Sequence, residues 1–294
     1  MVHAHSAAGR HRRPLVTTLI LTSSFLAAEV VGGLVSGSLA LLADAGHMLT
    51  DVGGLALALF AIWFAERPAT AARTYGYYRA EILAALTNAI VLVGISVYIL
   101  FEAYQRFRDP PEVASGLMLL IAIVGLVVNL LGMFILRGGS SESLNLRGAY
   151  FEVLSDMISS LGVILAAVIM WLTGWRYADP LVSAGIGLFI LPRTWMLIRD
   201  AVGVLLEGTP SGINVTALRE AIAAMEGVQG VHDLHVWALT SGLNAMSAHV
   251  VCADAKPRDE LLTLVHDCVT KRFAIQHVTI QIESPGWEQT ETHL

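Results

Sequence analysis

Charged residues are scarce in this chain. Asp, Glu, Lys and Arg make up only 14% of its 294 residues, against about 25% in an ordinary soluble domain. The deficit falls on residues 1–206, whereas residues 207–294 have a normal balance. Most of the length is therefore unsuited to a water-surrounded fold, and the remainder reads as a soluble extension. Positive charge is also short. The net charge of -6 gives no support to a nucleic-acid-binding surface. The two cysteines, Cys252 and Cys268, form no CxxC and imply neither a disulfide framework nor an oxidising compartment. No GxxxxGK[ST] occurs, so no phosphate-cradling loop points to a nucleotide as partner or energy source. No small-residue cleavage site follows the first apolar run, which therefore reads as a retained span rather than a removed signal.

What is abundant is apolar sequence in long runs. Six segments, about 15–35, 38–64, 80–104, 112–136, 148–172 and 180–205, each match the length needed to cross a hydrocarbon layer of about 30 Å. Glycines at 32, 33, 37, 46, 53 and 54 permit close helix contact. Pro110-Pro111 closes the third segment, and Trp171, Trp175 and Tyr177 form an interfacial belt. With both termini inside, the inner side carries Arg10, Arg12, Arg13, Arg67, Arg73, Arg79, Arg137, Arg147 and Arg199. The outer side carries Arg106, Arg108 and Arg176. This bias follows the positive-inside rule and puts the C-terminal extension in the cytoplasm.

The pattern changes after Pro210. Helical periodicity over 215–225 is followed by alternation over 228–239, a turn at 241–244 and a second alternating run at 245–252. A helix at 257–273 and a last strand at 277–283 complete the order. Helix-strand-strand-helix-strand fits a small α+β domain of ferredoxin-like type. The expected organisation is an N-terminal tail at 1–14, a six-helix transmembrane domain at 15–206 and a linker at 207–213. A ferredoxin-like domain at 214–284 and a tail at 285–294 follow.

Chemistry is signalled by ionisable groups inside the apolar runs. The second segment holds Asp44, His47 and Asp51, the fifth holds Glu152 and Asp156, and the first holds Glu29. Intramembrane carboxyls are costly and mark ion or proton paths. His47 and Asp51 are four residues apart, as are Glu152 and Asp156, so each pair shares one helix face. Two such helices side by side offer one nitrogen and three oxygens to one ion. Zinc accepts that set at about 2.0–2.2 Å, and Mn, Fe and Co are chemically compatible. On the residues alone, a metal site and a proton relay both stand. Asn88 and Asn129 read as helix–helix hydrogen bonds.

Three segments carry a family resemblance: G-S-L-A-L-L-A-D-A-G-H-M-L-T-D at 37–51, N-L-R-G-A-Y-F-E-V-L-S-D at 145–156 and V-H-D-L-H-V-W at 231–237. With them the chain resembles the cation diffusion facilitator family, of the bacterial inner-membrane zinc-transporter type. The resemblance implies six spans, a cytosolic ferredoxin-like domain, a homodimer in the lipid bilayer, and export of a divalent metal from the cytoplasm against protons. It implies His47, Asp51, Glu152 and Asp156 as the transport site, zinc as the expected substrate, and no organic cofactor. One position departs. The zinc-exporting branch usually carries histidine where this chain has Glu152. Three carboxylates around one ion weaken a preference for zinc over harder ions such as Mn²⁺ or Fe²⁺, and Co²⁺ and Cd²⁺ also remain candidate substrates. The loop at 66–79 lacks the acidic and histidine residues of an additional site found in some relatives.

Arg79 matches a family lysine position that pairs with an acid beyond the sixth span, here Glu207, as an interlock at the base of the dimer. His232 and His249 match positions that hold metal in the tail of some relatives, and His266 and His277 are further candidates. Two other classes compete with the exporter. One is a metal-sensing membrane protein with vestigial transport. The other is a membrane-embedded enzyme using the metal as a Lewis acid. The enzyme would need an open coordination position and a spare base, whereas all four groups are taken as ligands.

Overall fold

The computed structural model describes residues 12–65, 67–137, 144–253 and 257–286, without the side chains of 12–16, 51, 54–62, 65, 137, 144–149 and 151–152. The expected tails therefore lie largely outside the described residues, at 1–11 and 287–294. Six long helices come first: α1 (Arg12–Ser36), α2 (Leu39–Ala65), α3 (Arg79–Arg108), α4 (Ser115–Arg137), α5 (Leu144–Thr173) and α6 (Ala178–Leu205). Then follow α7 (Val215–Ala223), β1 (Val228–Thr240), β2 (Leu243–Cys252), α8 (Arg258–Arg272) and β3 (His277–Glu283). Among the described residues five helices are long and apolar enough to cross a membrane, namely α1 and α3 to α6. Helix α2 contributes an apolar stretch over Leu39–Thr50. The helix α3 runs past the expected limit at residue 104 because Arg106 and Arg108 do not break it. Cations in a last turn suit the helix C-terminus, and Arg106 Nε binds Glu102 Oε1 at 3.1 Å.

The chain forms two compact units. One comprises Met1–Leu57 and Thr87–Met196, the other Ala58–Leu86 and Leu197–Leu294. In the first, α4 packs on α5 and α1. Its outer surface shows large apolar side chains, including Val31, Phe134 and Phe189 at 60%, 78% and 69% exposure. Lipid solvates such a surface, so helix association has to come from close packing and polar ties rather than from apolar burial. Close packing is visible at Gly125, where a Cβ would collide with the Phe25 ring, and at Gly32, where it would collide with Ile121. Polar ties include Asn88 Nδ2 donating to the Thr50 carbonyl at 3.0 Å and Asn129 Nδ2 donating to Ser160 Oγ at 3.3 Å.

The start of α2 is fixed from outside its own sequence. Ser38 Oγ accepts from the Leu41 amide at 3.2 Å, an N-cap contact. The fully buried carboxylate of Asp179 accepts from Ser38 Oγ at 2.7 Å and from the Leu39 and Ala40 amides at 3.0 and 3.1 Å. Arg106 Nη1 approaches the same carboxylate at 3.3 Å and donates to the Gly37 carbonyl at 2.6 Å. A negative charge at a helix N-terminus is favourable, and this one anchors the first turn of α2.

The second unit holds a mixed sheet in the order β1-β2-β3, antiparallel between β1 and β2 and parallel between β2 and β3. The helices α7 and α8 cover one face. Leu218, Ile222, Met246, Leu261, Val265, Val269 and Ile275 are fully buried there. Each is worth about 1.5–3 kcal/mol in water, which the first unit cannot draw on against lipid. Asn214 caps α7 by accepting from the Ala217 amide at 3.0 Å. In the same unit the Thr240 hydroxyl donates to the Glu81 carboxylate, and Tyr75 meets His277 edge-on at 5.5 Å between centroids.

Candidate metal sites

The capped start of α2 and its packing place His47 against α5. His47 is 7% exposed and Asp156 4%, and His47 Nε2 lies 3.6 Å from Asp156 Oδ1. That exceeds a hydrogen bond. Two ligand bonds of about 2.1 Å meeting at a tetrahedral angle span roughly 3.4 Å, so the separation suits two donors to one ion. Asp51 and Glu152 stand on α2 and α5 four residues from His47 and Asp156, but their side chains fall outside the described residues. Two of the four expected transport ligands are thus brought together.

One helix turn away lies a polar group that motif reading noted only in part. The Asp44 carboxyl contacts the Glu29 carboxyl and the hydroxyls of Ser159 and Ser160. Glu29, Asp44, Asn129 and Ser160 are each no more than 1% exposed.

A second donor cluster sits in the C-terminal unit. His232 and His249 are cross-strand partners in the β1–β2 ladder, with rings 5.1 Å apart. Glu283, at the end of β3, joins them. His232 Nε2 lies 2.9 Å from Glu283 Oε2 and His249 Nδ1 lies 2.9 Å from Glu283 Oε1. One donor atom from each residue falls within 4.8 Å of the others, and two imidazoles with a carboxylate suit zinc. Gln281 Nε2 donates to Glu283 Oε1 at 2.8 Å, orienting the carboxylate from behind. The β1 register shifts between His232 and His235, and Asp233 there has φ 45°. That bulge brings Asp233 Oδ2 within 3.8 Å of His232 Nδ1 and 4.0 Å of His249 Nδ1.

The sequence reading of this domain had the two histidines and missed Glu283. The signal was present, since the alternation H-V-T-I-Q-I-E puts residues 277, 279, 281 and 283 on one face. His266 and His277 lie outside this cluster. His266 borders a cleft with Leu262, Thr263, Val278, Thr279 and Ile280, and His277 packs on Tyr75. Arg79 Nη2 and Glu207 Oε1 form the expected ion pair at 2.8 Å, both partly exposed to solvent.

Comparison with known proteins matches two consecutive stretches of the chain. Residues 15–206 match the family described as the cation efflux transmembrane domain, and residues 210–285 match the cation efflux protein cytoplasmic domain. The metal cation efflux system protein CzcD of Cupriavidus metallidurans is 48% identical over 290 residues, covering 98% of this chain and 92% of that protein. The cadmium, cobalt and zinc/H(+)-K(+) antiporter of Bacillus subtilis is 43% identical, covering 97% and 92%. The zinc transporter ZitB of Escherichia coli is 40% identical, covering 100% and 96%. These relatives are metal cation efflux proteins, and the family is one of transporters. The chain belongs to the cation diffusion facilitator family, with the cation efflux transmembrane domain followed by the cation efflux protein cytoplasmic domain.

Proposed function

We propose that this protein is a secondary active exporter that moves divalent metal cations, zinc first, out of the cytoplasm in exchange for protons. The observation that carries this is the approach of His47 on α2 to Asp156 on α5 at 3.6 Å, with Asp51 and Glu152 one turn along the same helices. The relatives' names supply zinc, cadmium, cobalt and protons as the substrates to test.

On this reading the transmembrane domain spans 15–206 with six helices, α2 included, in the inner membrane. A linker at 207–213 joins a ferredoxin-like domain at 214–284, with both termini in the cytoplasm. The protein works as a homodimer, with Arg79–Glu207 holding the base of the transmembrane helices. Metal enters from the cytoplasm and is held by His47, Asp51, Glu152 and Asp156. Carboxyls that carried protons in the empty site release them as the ion binds, because like charges at close range cannot all ionise. The helix pairs then rock, the ion leaves outside, and protons entering from that side reset the site. Two elements with two arrangements suffice, and the differential affinity for metal and protons supplies the drive.

Glu152 supports a second reading of substrate preference, toward Mn²⁺, Fe²⁺, Co²⁺ or Cd²⁺, because it replaces a nitrogen donor by an oxygen. The His232–His249–Glu283 cluster supports a sensing role for the tail, in which bound metal favours one dimer arrangement. The deciding experiment is uptake of zinc, cobalt, cadmium, manganese and iron into proteoliposomes, with and without pH and potassium gradients. Zinc uptake driven by the pH gradient is expected. Gradient-independent flux for every ion would sink the exchanger.

A further inference from the structure

Outside the proposed ligands, the first unit contains a buried polar group that is rich in acceptors and poor in donors. Glu29 reaches it from α1, Asp44 from α2, Asn129 from α4, and Ser159 and Ser160 from α5. The available donors are two serine hydroxyls and one amide, which is already given to Ser160 Oγ. Glu29 Oε2, Asp44 Oδ1 and Asn129 Oδ1 are buried without a hydrogen-bond donor among the described residues. No arginine or lysine bonds to either carboxyl among the described residues. Among the described residues, the charged or titratable side chains near them are each other and Asp156, with His47 one turn along α2.

Two carboxyls in contact away from water need a proton between them, because two bare carboxylates repel and neither can donate. Buried acceptors in excess of donors mark a place that takes up donors. Position adds to this. Asp44 is three residues before His47 on α2, and Ser160 is four residues after Asp156 on α5. With the N-terminus inside, both displacements lead from the ligand level toward the outer face, as does the place of Glu29 near the end of α1.

We propose that the Glu29–Asp44 carboxyl pair is a proton station separate from the metal ligands, through which protons from the outer side reach the transport site. A proton taken from outer water is shared between the two carboxyls. As metal leaves, the proton passes by way of the Ser159 and Ser160 hydroxyls, each of which can accept one proton and donate another, to a ligand carboxylate. The station deepens the antiport reading and rests on it.

The test compares the full-length protein with Glu29→Gln and Asp44→Asn in proteoliposomes. Three quantities are measured: zinc affinity by calorimetry, zinc/zinc exchange at equal pH, and zinc flux driven by a pH gradient. The amide variants keep the shape of the protonated pair, so affinity within about threefold of wild type and preserved exchange are expected. Gradient-driven flux should fall at least tenfold in each variant. Gradient-driven flux within twofold of wild type in both variants overturns the station. Loss of affinity and exchange in both variants also overturns it, since the carboxyls would then be metal ligands or framework. Wild-type flux that ignores the pH gradient removes the antiport reading itself, and so is distinguished from failure of the station alone.

Discussion

Two groups of metal-type donors among the described residues are built by opposite means. In the membrane unit His47 and Asp156 come from separate helices and stop 3.6 Å apart. In the C-terminal unit Glu283 already touches both His232 and His249 at 2.9 Å. The first pair is almost sealed from solvent, while the tail histidine side chains are 21% and 23% exposed. On the proposed transport reading the site must release what it binds, and donors drawn from two separate helices lose affinity if those helices part. A cluster locked by three adjacent strands keeps its geometry and suits a resident ion. The scaffolds differ in the same sense. The tail draws on apolar burial in water, whereas the helix bundle relies on small-residue contacts and polar ties.

Breaking this contrast begins with Asp156→Ala. It should reduce metal flux in proteoliposomes to background while metal binding by the tail, followed by calorimetry on the full chain, is unchanged. A large residual flux would show that the intramembrane pair is not the transport site. Next is Asp179→Ala, which strips the partly buried Arg106 and the first turn of α2 of their shared, fully buried partner. Arg106 keeps Glu102 and the Gly37 carbonyl, so the cost is that of buried donors left without their acceptor, about 1–3 kcal/mol. Unfolding of the purified protein in detergent should shift accordingly, without any change in tail metal binding. Removing Glu283 as Glu283→Ala should weaken tail metal affinity by about 10–100-fold, judged by the usual loss when a ligand or its support is removed. Transport should fall less than that. Glu152→His should raise the zinc-to-manganese flux ratio severalfold if Glu152 is a ligand, and an unchanged ratio would take it out of the site. The smallest effect is expected from Arg79→Ala. A partly exposed ion pair contributes less than about 1 kcal/mol, so sedimentation should show at most modest weakening of the dimer, with metal affinity retained.

Much of this was legible along the chain. Runs of apolar residues located the long helices, because helix length and lipid thickness fix one another. The order of alternation and helical period in the tail anticipated α7, β1, β2, α8 and β3 in turn. Asn88 and Asn129 make the interhelical contacts their residue type implied. The four-residue spacing of His47 with Asp51, and of Glu152 with Asp156, gave two faces, since spacing within a helix is local geometry. The limits of α3 and α5 were read too short, because arginine next to an apolar run marks an interface without ending a helix.

What sequence spacing could not supply was which distant residues meet. Glu283 stands 51 positions from His232 and reaches it through the parallel pairing of β3 with β2. Asp179 caps a helix that begins 140 residues earlier. Glu29 on α1 meets Asp44 on α2 because the missing side chain at Gly33 lets α1 approach Leu42 closely, where a Cβ would collide. The sequence alone determined the membrane and tail segments and the residue types able to bind metal or protons. Only the tertiary structure decided which of them share a site, because contact between helices and strands depends on packing shape and register, and neither is encoded in any one segment.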